Sequence, residues 1–180
     1  PFPCEREYAK ESRERTTRWA ARCLAEDTQL PPKYGYKQSL FAIVQGSVCP
    51  DLRAQSAEAL VTMDSPGYAI GGLAVGEPTE QLYDIAALTC DFLPQNKPRY
   101  LMGVGTPWNI LECIGMGIDM FDCVMPTRNG RNAMLFTSEG VINIDNKKWE
   151  NDFSPVDANI NCELSSYYSK AYLRHLVKSK

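Results

Sequence analysis

Histidine occurs once in the 180 residues, and basic residues do not outnumber acidic ones: 19 Lys and Arg stand against 22 Asp and Glu, for a formal net charge of -3. A chain with that balance cannot wrap nucleic acid by overall charge, so any RNA contact must come from local patches. Also missing are a signal peptide and an apolar run long enough to span a bilayer, which points to a cytoplasmic protein with no membrane partner. The seven cysteines (4, 23, 49, 90, 113, 123 and 162) are odd in number and lack any Cys-x-x-Cys spacing. That pattern excludes a disulfide framework in favour of reduced thiols. No initial methionine precedes Pro1, as expected of a piece cut from something longer. What remains is an ordinary globular composition, 44% hydrophobic and 23% charged, able to bury a substantial core.

Residues 5–26 have the spacing of an amphipathic helix, with Tyr8, Trp19, Ala20, Cys23 and Leu24 able to share a face. Pro31 and Pro32 break it. A rhythm follows. Short apolar runs at 39–44, 68–70, 99–102 and 120–124 alternate with helical stretches at about 51–63, 78–92 and 107–116. Asp51 is placed to cap the first of these helices, and Pro107 suits the start of the third. Such βα units in succession predict a parallel sheet with helices outside. Three strands run out into glycine, at Gln45-Gly46, Gly71-Gly72 and Gly103. Glycine there lets a backbone approach a ligand or turn with positive φ, and three such endings suggest one lip of a binding site.

The stretch from Gly117 to Asn132 carries the most chemistry. Its first half reads as a buried strand with Asp122 near the end. Its second half reads as a loop holding Arg128 and Arg131, its path set by Pro126 and Gly130. A carboxylate where a strand runs into a basic loop suits attack on something attached to phosphate, because ligands of parallel α/β folds collect at the carboxyl ends of strands. The plain alternative is that Asp119 and Asp122 only cap or solvate the strand end. Residues 133–137 and 141–145 alternate like the arms of a hairpin around Ser138-Glu139-Gly140. Residues 147–161 look irregular, and 162–178 return to helical spacing. From Tyr167 on, Lys170, Arg174, Lys178 and Lys180 occur with no acid, predicting a local positive surface. A closed (β/α)₈ barrel needs eight strands and typically about 250 residues; rhythm alone leaves an open sheet and half a barrel equally available.

Four motifs decide between them: Phe41-Ala42-Ile43-Val44-Gln45-Gly46, Tyr68 to Glu77 (YAIGGLAVGE), Arg99 to Gly105 (RYLMGVG) and Phe121 to Arg128 (FDCVMPTR). In this order, and with the tail from Tyr168 to Leu176, they closely resemble the tRNA-guanine transglycosylases, the queuine tRNA-ribosyltransferase family. The resemblance implies strands five to eight, the C-terminal half of a (β/α)₈ TIM-type barrel, with an inserted β-hairpin and a C-terminal helical segment. The expected division is residues 1–130 as the second half of the barrel with its preceding helix, 131–146 as the hairpin, and 147–180 as the C-terminal helical segment. The first four strands, with the family's second active-site aspartate, would precede Pro1.

The family is a pentosyltransferase that replaces guanine at the wobble position of GUN anticodons by a 7-deazaguanine such as preQ1, through a covalent ribosyl-enzyme, in queuosine biosynthesis. Carried over by position, Asp122 is the nucleophile. Gln45, Gly72, Leu73 and Met102 form the base pocket, although on the bare sequence a methionine such as Met102 is more often core and only the positional match places it there. Val75 matches the bacterial, preQ1-using branch. Glu77 either hydrogen-bonds the backbone near Leu73 and Ala74 or caps the next helix. Arg128 and Arg131 fall where the family grips the anticodon loop. The implied partners are tRNA, the small base and, at full length, a second copy of the enzyme; this chain by itself is expected to show no turnover. The family commonly holds a structural zinc on three cysteines and a histidine, but at the matching positions stand Ile160, Cys162 and Ser165. Cys162 alone cannot build that site, so no metal or other cofactor is expected, and His175 is expected to be a surface or packing residue. Two alternatives stay open: a non-catalytic tRNA-binding subunit of the same fold, which need not keep Asp122, and an unrelated phosphate-binding barrel using Gly103-Val104-Gly105.

Overall fold

The four apolar runs are strands in a computed structural model that describes residues 2–179. They are β1 (Phe41–Val44), β2 (Gly67–Ile70), β3 (Arg99–Met102) and β4 (Met120–Asp122), forming a parallel sheet in the order β1-β2-β3-β4. β4 stops two residues short of the expected Val124. It pairs on one side only, so nothing extends it beyond Met102 of β3. Helices α1 (Arg6–Gln29), α2 (Pro50–Thr62), α3 (Thr79–Asp91) and α4 (Pro107–Gly115) lie within a few residues of expectation. Pro50 and Pro107 sit in first turns, where a missing N–H costs nothing. Asp51 is not the cap of α2: Cys49 holds that position, and the Asp51 carboxylate pairs instead with Arg6 of α1.

One face of the sheet carries the core. Ala42, Val44, Tyr68, Ile70 and Leu101, on alternate positions, pack with Ala57 and Leu60 of α2, Ile85 and Ala86 of α3, and Cys113 of α4. On the other face Phe41, Ile43, Tyr100 and Met102 are half-buried and Met120 is exposed. Of the apolar stripe expected on α1, Ala20 packs against the core, while Tyr8 and Trp19 are exposed. At the lower end of the sheet Asp119 is structural, its carboxylate accepting from the Arg99 N–H at 2.8 Å. The Arg99 guanidinium ties Leu93 O to Gly117 O.

The chain divides into two units, one ending at Cys123 and the other beginning at Val124. The second opens on α5 (Met125–Arg131), where a loop was expected. Pro126 falls in its first turn, so a residue expected to set the path of a loop instead starts a helix. The hairpin follows as β5 (Met134–Thr137) and β6 (Gly140–Asn143), closed at Thr137↔Gly140, with Asp157 accepting from the Ser138 N–H and hydroxyl. A 3₁₀ turn spans Lys147–Trp149. The C-terminal helical run is two helices, α6 (Glu163–Tyr167) and α7 (Lys170–Lys178), because Ser169 caps the second by accepting from the Tyr172 N–H. The positive surface expected there is largely neutralised: Lys170 pairs with Asp152, Arg174 with Glu150 and Lys178 with Asp145. Lys180 lies outside the described residues. His175 is exposed, and none of the seven cysteines is joined in a disulfide. Among the described residues no helix is long and apolar enough to cross a membrane.

Candidate active site

Parallel pairing in sequential register sets the carboxyl ends of the strands side by side: Val44 pairs with Ile70, Ile70 with Leu101, and Met102 with Asp122. The residues that follow are therefore brought to one edge. Asp122, last in β4 and exposed, places one carboxylate oxygen, Oδ1, in reach of two donors: the Tyr100 hydroxyl at 2.6 Å and the Gly103 N–H at 3.0 Å. Both of these bonds fall on Oδ1. The Tyr100 bond first, and the Gly103 bond second, hold the Asp122 carboxyl below its ordinary pKa, and the same contact raises that of Tyr100. The arrangement fixes a carboxylate through one of its oxygens.

This geometry makes a pH prediction. Hydrogen bonds to the charged form depress an aspartate pKa, so Asp122 contributes stability above its unfolded value of about 3.9, lost as pH falls through the lower folded value. Tyr100→Phe removes the stronger donor. The Asp122 pKa is expected to rise toward the ordinary aspartate range, shortening the acidic window over which that contribution persists. A carboxyl-carbon NMR titration reads it directly, and an unmoved pKa would show that the phenol does not hold the carboxylate.

Gln45, Gly71, Gly72 and Met102 converge a short way along the same edge. A Cβ at Gly71 would lie 2.9 Å from Gln45 Nε2 and 3.5 Å from Met102 Sδ, and one at Gly72 would lie 2.8 Å from Gln45 Oε1. Any side chain at either position would displace the glutamine. The Gln45 carboxamide makes no hydrogen bond to any described residue, nor do the Gly72 and Leu73 N–H groups. Those are donors and an acceptor gathered at one edge of the sheet, with the Met102 thioether beside them. The Leu73 side chain itself is in the core, 3% exposed, so only its backbone can face a ligand.

The loop beyond Leu73 is braced from within. Ala74 holds φ +56, a conformation costing an L-residue about 1 kcal/mol or more. The Glu77 carboxylate accepts from the N–H groups of Ala74 and Val75. Of the two expected uses of Glu77, backbone bracing is the one seen; it makes no cap contact with α3, whose N-cap is Pro78. Val75 is exposed on this loop.

Two functional candidates went unread in the sequence. Tyr100 looked like one more apolar strand residue, although alternation already places it on the same face as Met102. Arg53, on the helix that follows β1, is fully buried, with Nη2 3.6 Å from the point a Gly72 Cβ would occupy, and no local pattern announces that. In the second unit Arg128 and Arg131 occupy the last turn of α5 and are exposed. Cys162 is exposed, its thiol pKa lowered chiefly by the Ser165 N–H. Ile160 has no ligating atom, and among the described residues no cluster of three His, Cys, Asp or Glu side chains could hold a metal. These residues do not fit a tetrahedral zinc site.

The family model for queuine tRNA-ribosyltransferase matches residues 1–180. The chain is 51% identical to the queuine tRNA-ribosyltransferase of Staphylococcus haemolyticus, covering 100% of this chain and 46% of that protein. To the proteins of the same name from Clostridium acetobutylicum and Natranaerobius thermophilus it is 51% and 49% identical, covering 48% and 47% of their lengths. It spans about half the length of the curated relatives it matches.

Proposed function

Because the chain belongs to the queuine tRNA-ribosyltransferase family, we propose that it carries the reacting half of a cytoplasmic enzyme that exchanges guanine in a tRNA anticodon for a 7-deazaguanine. The observation that carries this reading is Asp122, ionised and anchored through Oδ1 at the end of β4. In the proposed reaction Oδ2 attacks C1′ of the wobble ribose as the bond to guanine N9 breaks. Positive charge develops on the sugar and is met by the ionised carboxylate. The departing guanine takes up a proton. The incoming base then attacks C1′ through its own ring nitrogen, gives up to solvent the proton that nitrogen carried, balancing the one taken up by guanine, and frees the carboxylate, so the phosphodiester chain is never cut.

Gln45 and the Gly72 and Leu73 amides read the polar edge of the base, and Met102 covers one face. Val75, exposed beside the braced loop, favours the small base preQ1, and Glu77 keeps that loop in place. No cofactor takes part. The sheet supports strands five to eight of a (β/α)₈ barrel: its order never reverses, unlike that of a doubly wound sheet, and α2, α3 and α4 pack on a single face. An apolar hollow of about 200 Å³ beside β1, lined by Trp19, Leu24, Leu40, Phe41 and Ile43 among others, is where a preceding strand would complete the barrel. With open edges at β1 and β4, the chain alone turns nothing over; the full-length enzyme works as a homodimer.

Incubating the full-length enzyme with a GUN-anticodon tRNA and labelled guanine is expected to place label in the RNA. Tight tRNA binding with no exchange would favour a non-catalytic RNA-binding subunit instead. Arg128 and Arg131 present planar donor forks to phosphate and base acceptors of the anticodon loop. Replacing both by Ala is expected to raise KM for tRNA about tenfold or more, the scale of one or two charge-assisted bonds, while guanine binding holds. An unchanged KM for tRNA removes them from the RNA interface.

A further inference from the structure

Behind the pocket lies a cation that the reaction as drawn does not use. Arg53 of α2 is 0% exposed. Its Nε donates to Ser47 O at 2.8 Å and its Nη1 to Val44 O at 3.1 Å, so it grips the backbone on both sides of Gln45-Gly46. The third arm, Nη2, is buried with no hydrogen-bond partner, and a buried orphan donor is costly. Burial pushes the guanidinium down to about 10, with the Glu77 charge opposing, so it stays cationic at neutral pH.

The orphan nitrogen has a direction. The point where a Gly72 Cβ would sit is 3.6 Å from Arg53 Nη2 and 2.8 Å from Gln45 Oε1. The corresponding point at Gly71 is 2.9 Å from Gln45 Nε2 and 3.5 Å from Met102 Sδ. The amide therefore turns its oxygen to the side the cation occupies and its NH₂ to the Met102 side. Reversing it would set two N–H donors against a buried guanidinium.

We propose that Arg53 is a positioning residue: the positive charge at its unpaired Nη2 keeps the Gln45 carboxamide oxygen-inward, so that Gln45 meets the base as a hydrogen-bond donor and selects a purine with a carbonyl oxygen on that edge. The inference rests on the base-pocket reading above and adds the cause of the amide's orientation. Base binding draws Nε2 forward and closes Oε1 onto Nη2.

The test uses the full-length enzyme and two bases, guanine and 2-aminopurine, which lacks the 6-oxo acceptor. The parent is expected to bind guanine at least tenfold more tightly. In Arg53→Lys, which keeps the charge but loses the three-armed grip, guanine affinity is expected to fall about tenfold, 2-aminopurine affinity to stay within about threefold, and kcat at saturating guanine to change less than about threefold. Equal weakening of both bases, or of neither, overturns the proposal. Gln45→Ala is the control: if it leaves the ratio unchanged, Gln45 is not at the 6-oxo edge, and the base-pocket reading falls with everything built on it. Should Arg53→Lys not fold, a crystal structure of the parent with guanine decides. Arg53 Nη2 is expected about 3 Å from Gln45 Oε1; Nη2 on a water or another acceptor overturns it.

Discussion

Asp122→Asn is expected to abolish exchange in the full-length enzyme, lowering incorporation of labelled guanine on the order of a thousandfold or more. The substitution is close to isosteric and still offers Oδ1 to Tyr100 and Gly103, so fold and tRNA binding are expected to hold. What disappears is the charge. An amide neither attacks C1′ nor offsets the positive character of the ribose in the transition state. The second readout is covalent: the parent is expected to give a protein–RNA adduct that survives denaturing electrophoresis, and the variant none. Should the variant incorporate guanine as fast as the parent, Asp122 is not the nucleophile, and the mechanistic centre proposed here is wrong.

Gly46→Ala is expected to destabilise the full-length protein by about 2–4 kcal/mol, combining a clash with backbone strain. Gly46 has φ +141, and a Cβ there would lie 2.8 Å from Arg53 N and 2.9 Å from Leu52 C. Both are backbone atoms of α2, so relief requires moving the helix rather than rotating a side chain. The Val44 and Ser47 carbonyls held by Arg53 flank this glycine, so the displacement passes directly to Gln45. Guanine affinity should therefore fall along with the unfolding midpoint. Gly35→Ala is the comparison: φ is +74 but nothing lies within 4 Å of its Cβ, and about 1 kcal/mol is expected from strain alone. Equal losses at the two positions would show that the close approach of α2 to Gly46 contributes nothing.

Much of this site was legible before any coordinates. Asp122 stood out because a carboxylate at the end of an apolar run is chemically conspicuous, and Gln45, Gly72 and Met102 followed from position within matched motifs. Errors came where one residue type serves two local roles. Pro126 suits the bend of a loop, yet proline is also at home in a helix's first turn, which is where α5 places it. Asp51 stands where a cap is expected, but its carboxylate is claimed by Arg6, 45 positions away. The basic C-terminal helix looked unopposed because its acids, Asp145, Glu150 and Asp152, precede it in an irregular stretch.

The sequence by itself determined the alternation of strand and helix, the order of the motifs and the placement of Asp122 at a strand's end. These depend on neighbours a few positions apart, through apolar periodicity and the backbone limits of proline and glycine. Only the tertiary structure decided that Tyr100 holds Asp122, that Glu77 braces Ala74 and Val75, and that Arg53 stands buried behind Gln45. Those contacts depend on strand register and on how each helix is rotated against the sheet. The whole core sets both at once, and no short window of residues contains them.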